Sequence, residues 1–164
     1  MFTFDSLTDG HLETFRNWLQ QDHVKQFWQE PESQSELRDK FLSKLPARGV
    51  RSFIFSKDQT PIGYIQYYES SKIGGGWWQG EPTGTYGIDL LIGSSNHLGS
   101  GLGSLVIKEF IDFLCDEEND VTSIIIDPDP GNLRAIRAFE KAGFVREKEI
   151  VTPNGPTLLM RLRL

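Results

Sequence analysis

Residues 127–144 read Asp127-Pro128-Asp129-Pro130-Gly131-Asn132-Leu133-Arg134-Ala135-Ile136-Arg137-Ala138-Phe139-Glu140-Lys141-Ala142-Gly143-Phe144. Pro128, Pro130 and Gly131 crowd into one short segment, which predicts a loop. Asn132 to Ala142 predicts a helix, and Gly143 offers the left-handed cap that ends it. Just upstream, Val121 to Asp127 carries Ile124-Ile125-Ile126, a run that predicts a strand buried on both faces. Strand, loop and helix in this order form one half of a crossover unit.

Downstream, Phe144 to Thr152 and Thr157 to Leu164 flank Pro153-Asn154-Gly155-Pro156 and predict a terminal hairpin. Upstream, Gly99-Ser100-Gly101-Leu102-Gly103 opens a helix in which Leu102, Leu105, Val106, Glu109, Phe110, Phe113 and Leu114 share helical spacing. Asp116 to Asp120 closes it in an acidic turn. Thr85 to Ile92 predicts a strand with Tyr86, Ile88, Leu90 and Ile92 on one face and Gly87, Asp89 and Leu91 on the other. Ser70 to Pro82 contains Gly74-Gly75-Gly76-Trp77-Trp78 and predicts a loop bearing two large aromatics.

Arg51 to Lys57 and Pro61 to Glu69, joined by Asp58-Gln59-Thr60, predict another hairpin. Two helices precede it. Thr8 or Asp9 caps the first, with Leu12, Phe15, Trp18 and Leu19 on one face. Ser33-Gln34-Ser35-Glu36 fits a capping box for the second, with Leu37, Phe41, Leu42 and Leu45 inward and Pro46 stopping it soon after. The order is helix, helix, three strands, helix, strand, helix, two strands. It predicts an α/β fold, a mixed sheet with two βαβ-like crossovers in its second half, in a single domain over 1–164.

Composition excludes several classes. With 17 basic and 23 acidic residues among 164, the formal net charge is −6. That balance argues against nucleic acid, whose phosphates need clustered Lys and Arg. No apolar stretch approaches a membrane span, and the N-terminus lacks the basic and apolar regions of a signal peptide, which predicts a cytoplasmic protein. Cys115 stands alone, so neither a disulfide framework nor a Cys-rich zinc site is available. His11, His23 and His97 are scattered, and no metal is expected. Cys115 has no indicated base beside it, which argues against an acyl-cysteine route.

The glycine loop at 99–103 suits an anion. Glycines let backbone N–H groups approach it, and the following helix adds its positive dipole end. No Gly-Lys-Ser/Thr follows, so it is not a Walker loop, and its spacing is not a dinucleotide fingerprint. The alternative is a flexible loop that only caps a helix.

The run Asn132-x-x-Ala135-x-x-x-Phe139-Glu140-Lys141-x-Gly143-Phe144 resembles the second conserved block of the GNAT superfamily of acetyl-CoA-dependent N-acetyltransferases. The glycine loop lies about thirty residues upstream, where that superfamily keeps its pyrophosphate loop. Trp77-Trp78, Gly87-Ile88-Asp89, Leu98 to Gly103, the Asp127 to Arg137 block and Thr152 to Pro156 together resemble the aminoglycoside 6′-N-acetyltransferases of the Ib-like subgroup, over about His23 to Leu164.

The resemblance implies a mostly antiparallel central sheet, splayed between its fourth and fifth strands and flanked by helices. The strand at Leu90, Leu91 and Ile92 would part from the next parallel strand, and the pantetheine arm of acetyl-CoA would pair with the exposed backbone. Leu98, Gly99, Ser100, Gly101, Leu102 and Gly103 would hold the pyrophosphate. The family's usual Arg or Gln is replaced by Leu98, so backbone carries that contact. Asn132 would hydrogen-bond the pantetheine arm, with Ala135 and Phe139 completing the cofactor set.

By the same resemblance the acceptor is a small cationic amine, foremost an aminoglycoside 6′-amine, attacking directly in a ternary complex. The amine must lose a proton before it attacks, and Asp89 matches the family position proposed for the base. Its other reading is an anchor for the substrate ammonium. Asp127, Trp28, Trp77 and Trp78 match acceptor-binding positions, and Asp129, Glu30, Glu32 and Glu81 could add carboxylates for a polycation. Two positions depart from the pattern. Phe139 replaces a Tyr that protonates the leaving thiolate, which leaves water, Tyr86 or unassisted departure of the thiolate. Gly75 replaces an acidic residue before Gly-Trp-Trp. Alternatives are acetylation of another amine, a siderophore-pathway N-hydroxylamine or a protein N-terminus, or a non-catalytic CoA-binding domain. Monomer and homodimer both fit.

Overall fold

The computed structural model describes residues 1–73 and 76–164, with the side chains of Trp77 and Gln79 outside the description. Gly74 and Gly75 of the predicted loop therefore lie outside the described residues. The chain forms two compact units, Met1–Tyr67 with Asp89–Leu98, and Tyr68–Ile88 with Gly99–Leu164.

The first unit opens on β1 (Phe2–Ser6), a strand that sequence reasoning missed. It pairs antiparallel with β2 (Arg51–Lys57), from Phe2↔Lys57 to Ser6↔Phe53. A strand this short is stabilised by its partner rather than by its own residues, so local propensity does not announce it. Next come a 3₁₀ turn (Asp9–His11) with Thr8 as its cap, α1 (Leu12–Leu19) and α2 (Asp22–Lys25). The predicted capping box is partly realised, because the Ser33 side chain accepts from the Glu36 amide at the start of α3 (Gln34–Asp39). A π-helical turn at Lys40–Lys44 leads into α4 (Leu45–Ala47). The helix thus runs one residue past Pro46. The widened turn lets the Leu45 N–H reach back to the Lys40 carbonyl just before a residue with no N–H to give.

β3 (Thr60–Glu69) joins β2 through Asp58 (φ 49) and Gln59 (φ 65), a tight turn with both central residues left-handed. The core of this unit is Leu7, Leu12, Phe15, Leu19, Val24, Leu37, Phe41, Ile54, Tyr64 and Leu91. Phe15 stacks on Tyr64 at 4.5 Å, and Phe41 meets both rings edge-on. Trp18 packs so closely on Gly93 that a Cβ there would sit 2.3 Å from the indole.

In the second unit, β4 (Thr85–Ile92) begins parallel to β5 (Ser123–Ile126), with Gly87↔Ile125 in register. All four residues of β5 are buried, as its Ile run predicts. Between these strands runs α5 (Leu102–Glu117). It buries Leu102, Val106, Ile107, Phe110, Ile111 and Leu114, while Leu105, on the same helical spacing, is 53 % exposed. The helix is apolar around much of its girth, so packing rather than pattern selects the inner face. α6 (Leu133–Lys141) follows, then β6 (Val145–Thr152) and β7 (Gly155–Arg163). The hairpin turn is Pro153-Asn154, tighter than predicted, since Thr152 pairs with Gly155.

The strands lie in the order β1-β2-β3-β4-β5-β7-β6 in a seven-stranded sheet. β4 pairs parallel with β5, and β1–β2, β2–β3, β5–β7 and β6–β7 are antiparallel. The predicted crossover β4-α5-β5 is present, whereas the second places β7 between β5 and β6. β5 ends at Ile126, and β4 runs on to Ile92.

Candidate active site

Alternation along β3 puts Tyr64 and Gln66 on one face, and the β2–β3 register sets Ser52 opposite Gln66. A hydrogen-bonded chain results. Gln66 Nε2 donates to Asp89 Oδ2 at 2.9 Å, and Tyr64 Oη donates to Gln66 Oε1 at 2.6 Å. Ser52 and Tyr64 hydroxyls are 2.7 Å apart; because the Tyr64 proton goes to Gln66, Ser52 is the donor between them.

Asp89 keeps part of its solvent contact, but the protein around its carboxyl is dense enough for lost hydration to dominate. Burial pushes its pKa up, the Gln66 bond opposes this, and the Glu30 charge adds to the rise. Burial also pushes the Tyr64 phenol far above its ordinary range. Trp28 meets the Tyr64 ring edge-on at 6.0 Å, so Asp89 and Trp28 are referenced to one aromatic ring. Within this unit Leu91 is buried, while Leu90, Ile92 and Leu98 keep some exposure. His23 Nε2 donates to the Ile92 carbonyl at 2.8 Å, which sets its tautomer. The sequence suggests only a surface or packing role for this histidine.

In the second unit the glycine loop has the form its sequence suggests. Gly99 and Gly101 have φ of 75° and 78°, and no heavy atom lies within 4 Å of a Cβ position at either. Gly101 caps the 16-residue α5 in the left-handed conformation. The first-turn amides of a helix have no intrahelical acceptor, so Leu102 and Gly103 face this open backbone cradle with N–H groups to offer. Asn132 caps α6, its Oδ1 accepting from the Ala135 amide at 3.3 Å. Phe139 is 3 % exposed and meets Phe144 edge-on. Asp127 follows the last residue of β5 and is partly exposed. Asp129 turns its own loop by accepting from the Gly131 amide.

Trp78 Nε1 donates to the Ile73 carbonyl, and its ring tilts against Tyr68 at 5.5 Å. Trp77 belongs to the 3₁₀ turn Trp77–Gly80, and its side chain is outside the described residues.

Several expected roles change. Glu81 is held by the Arg161 guanidinium through two bonds, 2.7 and 2.9 Å, so its charge is already balanced. Glu30 is paired with Lys40, and Glu32 lies exposed near Lys25. Tyr86, considered as a proton donor, donates a hydrogen bond to Asp120 at 2.7 Å, and burial, with that bond, raises its pKa. Among the described residues no cluster of His, Cys, Asp and Glu could hold a metal ion, and no helix is long and apolar enough to cross a membrane. Ser52, Tyr64, Gln66 and Arg161 escaped sequence reasoning. The one signal was Gln66, an amide inside the aromatic run Tyr64-Ile65-Gln66-Tyr67-Tyr68.

The profile of the acetyltransferase (GNAT) domain family matches residues 8–152. Aminoglycoside N(6′)-acetyltransferase type 1 of Klebsiella pneumoniae is 36 % identical over 163 residues, 96 % of this chain and 81 % of the relative. A kanamycin resistance protein of Rhizobium radiobacter is 42 % identical over 87 residues, 52 % of this chain and 80 % of its own length. A solved structure of the aminoglycoside acetyltransferase AAC(6′)-Ib with coenzyme A and kanamycin superimposes with a TM-score of 0.92 at 34 % identity, covering 99 % of this chain and 95 % of that one.

Proposed function

Because this chain belongs to the acetyltransferase (GNAT) domain family and is an acetyl-CoA-dependent N-acetyltransferase, we propose that it acts as one catalytic domain that acetylates the 6′-amine of aminoglycosides. Its high-coverage relative carries that activity in its name, and the AAC(6′)-Ib structure binds kanamycin. The observation that carries the mechanism is Asp89, a carboxylate pushed up in pKa by burial, with Oδ2 held by Gln66.

At neutral pH the acceptor arrives as an ammonium, which has no lone pair for attack. Asp89 takes a proton from it, and its raised pKa makes it a stronger base than an exposed aspartate. Acetyl-CoA supplies the acetyl group as a thioester. The amine nitrogen forms the new C–N bond as the C–S bond breaks, sulfur carries off that electron pair, and the second proton of the nitrogen leaves to the thiolate or to water. Phe139 has no proton to give and the Tyr86 hydroxyl is engaged in a hydrogen bond to Asp120, so the thiolate departs unassisted or takes the proton released by the amine or one from water, tolerable for a thiol of pKa near 8.5.

The cradle at Gly99–Gly103, open where Cβ atoms would fill it, fits a pyrophosphate, with Leu98 contributing backbone alone. Asn132 spends Oδ1 on its own helix, which leaves Nδ2 as the donor toward the pantetheine arm, beside Ala135 and Phe139. Backbone groups of Leu90, Leu91 and Ile92 supply the strand edge. Trp28, Trp77, Trp78 and Asp127 receive the aminoglycoside. The reading places the enzyme in the cytoplasm, where acetyl-CoA is made.

A thiol-release assay over kanamycin, tobramycin, simple polyamines and peptides tests the substrate. Turnover with the aminoglycosides, yielding 6′-N-acetyl product by NMR, is expected. No turnover with any aminoglycoside overturns the proposal.

A further inference from the structure

We propose that Ser52, Tyr64 and Gln66 are positioning residues for Asp89, whose hydrogen-bond chain holds Oδ2 and reserves Oδ1 for the proton of the acceptor amine. The inference rests on Asp89 being the base. It assigns work to three residues that the reaction, as described above, does not touch.

The chain has one direction. Ser52 donates to Tyr64, Tyr64 donates to Gln66 Oε1, and Gln66 Nε2 donates to Asp89 Oδ2. Turning the Gln66 amide over would set its oxygen against the carboxylate, which when ionised only accepts. Asp89 therefore fixes which end of Gln66 faces it, and Tyr64 secures the other end by donating to Oε1. An amide in this sense stabilises the charged carboxylate, whereas burial and the Glu30 charge disfavour it. The chain favours the ionised form of Asp89, which can accept a proton, without leaving it fully solvated.

The anchor is rigid. Tyr64 is fully buried, stacked on Phe15 and flanked edge-on by Phe41 and Trp28. Ser52, Tyr64 and Gln66 sit on paired strands rather than loops, the placement that holds a reacting group most closely. The charged groups bearing on Asp89 are Glu30, from the segment between α2 and α3, and Lys40, which pairs with Glu30. Trp28, proposed to line the acceptor, touches the ring that orients the base, so one aromatic side chain sets the relative position of both.

The test compares wild type with Tyr64→Phe, Gln66→Leu and Gln66→Glu. Tyr64→Phe keeps the ring and its packing, so it folds even if a polar variant at 66 does not. Asp89 is titrated directly through its carboxyl carbon by NMR, and kcat and the KM for acetyl-CoA are followed against pH. Expected is a kcat loss of about tenfold in Tyr64→Phe and Gln66→Leu, with the KM for acetyl-CoA unchanged. The Asp89 pKa and the acid limb of the rate should both move up, by about half to one pH unit. Gln66→Glu should move them further, because it replaces a donor with a like charge. An Asp89 titration identical in all four proteins overturns the proposal, even where kcat falls. If the NMR titration moves but the acid limb stays in place, the chain stands and Asp89 is not the base. Wild-type turnover in Asp89→Asn would show the same failure of the base reading independently.

Discussion

Arg161 on β7 grips Glu81 in a two-bond fork at 2.7 and 2.9 Å, joining positions 80 residues apart. The same guanidinium donates through Nε to Glu147 on β6 at 2.7 Å, and the arginine is only 9 % exposed. Glu81 ends the segment that carries Trp77 and Trp78, so this pair ties that segment to the terminal hairpin. Removing the arginine strands two carboxylates in a partly buried place.

Arg161→Met should therefore lower stability by about 2–4 kcal/mol, toward the lower end of a broken buried pair because Glu147 retains solvent contact. The Tm should fall by roughly 5–12 °C. Arg161 holds the Glu147 carboxyl below its ordinary value of 4.5. A depressed carboxylate pKa stabilises the fold above that value, and this contribution is lost as pH falls through the lowered pKa. The Tm gap between wild type and variant should be full at neutral pH and narrow below about pH 4.5 in thermal scans.

Asp89→Asn should divide activity from stability. A general base contributes about 10²–10⁴-fold, so kcat should fall within that range while CoA still binds in calorimetry. Stability should move the other way. The Asp89 pKa is raised in the fold, so its ionised form costs stability above that pKa and nothing below the ordinary 3.8. The asparagine can still accept from Gln66. At pH 7–8 the variant should gain on the order of 1 kcal/mol, or about 2–4 °C, and the gain should vanish as the pH is lowered. A destabilised Asp89→Asn at pH 8 would contradict the assigned burial.

Gly101→Ala tests the cradle. The added Cβ meets no heavy atom within 4 Å, so the penalty is the left-handed backbone alone, φ 78°. That conformation costs a non-glycine residue about 1–2 kcal/mol. The Tm should fall accordingly, and the dissociation constant for CoA should rise as the first-turn amides shift. Unchanged CoA affinity in a folded Gly101→Ala protein would remove the loop from the binding site.

His23→Leu tests the end of β4. It deletes the bond to the Ile92 carbonyl and leaves that oxygen without its donor. Such a loss costs about 1–3 kcal/mol. We expect a lower Tm and a higher KM for acetyl-CoA, with kcat nearly unchanged at saturating donor. A kcat loss at constant KM would place His23 with the acceptor instead.

Much of the fold could be read from local chemistry. The glycines at 99–103, the Asn132 cap and the Ile run of β5 each act within a few residues, and each appears where its sequence puts it. β1 was invisible because its pairing with β2 stabilises it, and the buried face of α5 does not stand out in sequence because apolar residues surround much of that helix. At the site, Asp89 could be named from its position, but nothing near it in sequence identifies Gln66 as its partner.

The sequence alone determines backbone devices, because φ preferences, caps and periodicities depend on residues a few positions apart. It also determines the family. The tertiary structure decides which charges are spent and which remain. Glu81 goes to Arg161, Glu30 to Lys40 and the Tyr86 hydroxyl to Asp120, while Asp89 is held by an uncharged amide. A carboxylate's role follows from its partner and its hydration, and strand register and packing set both across separations that no local pattern records.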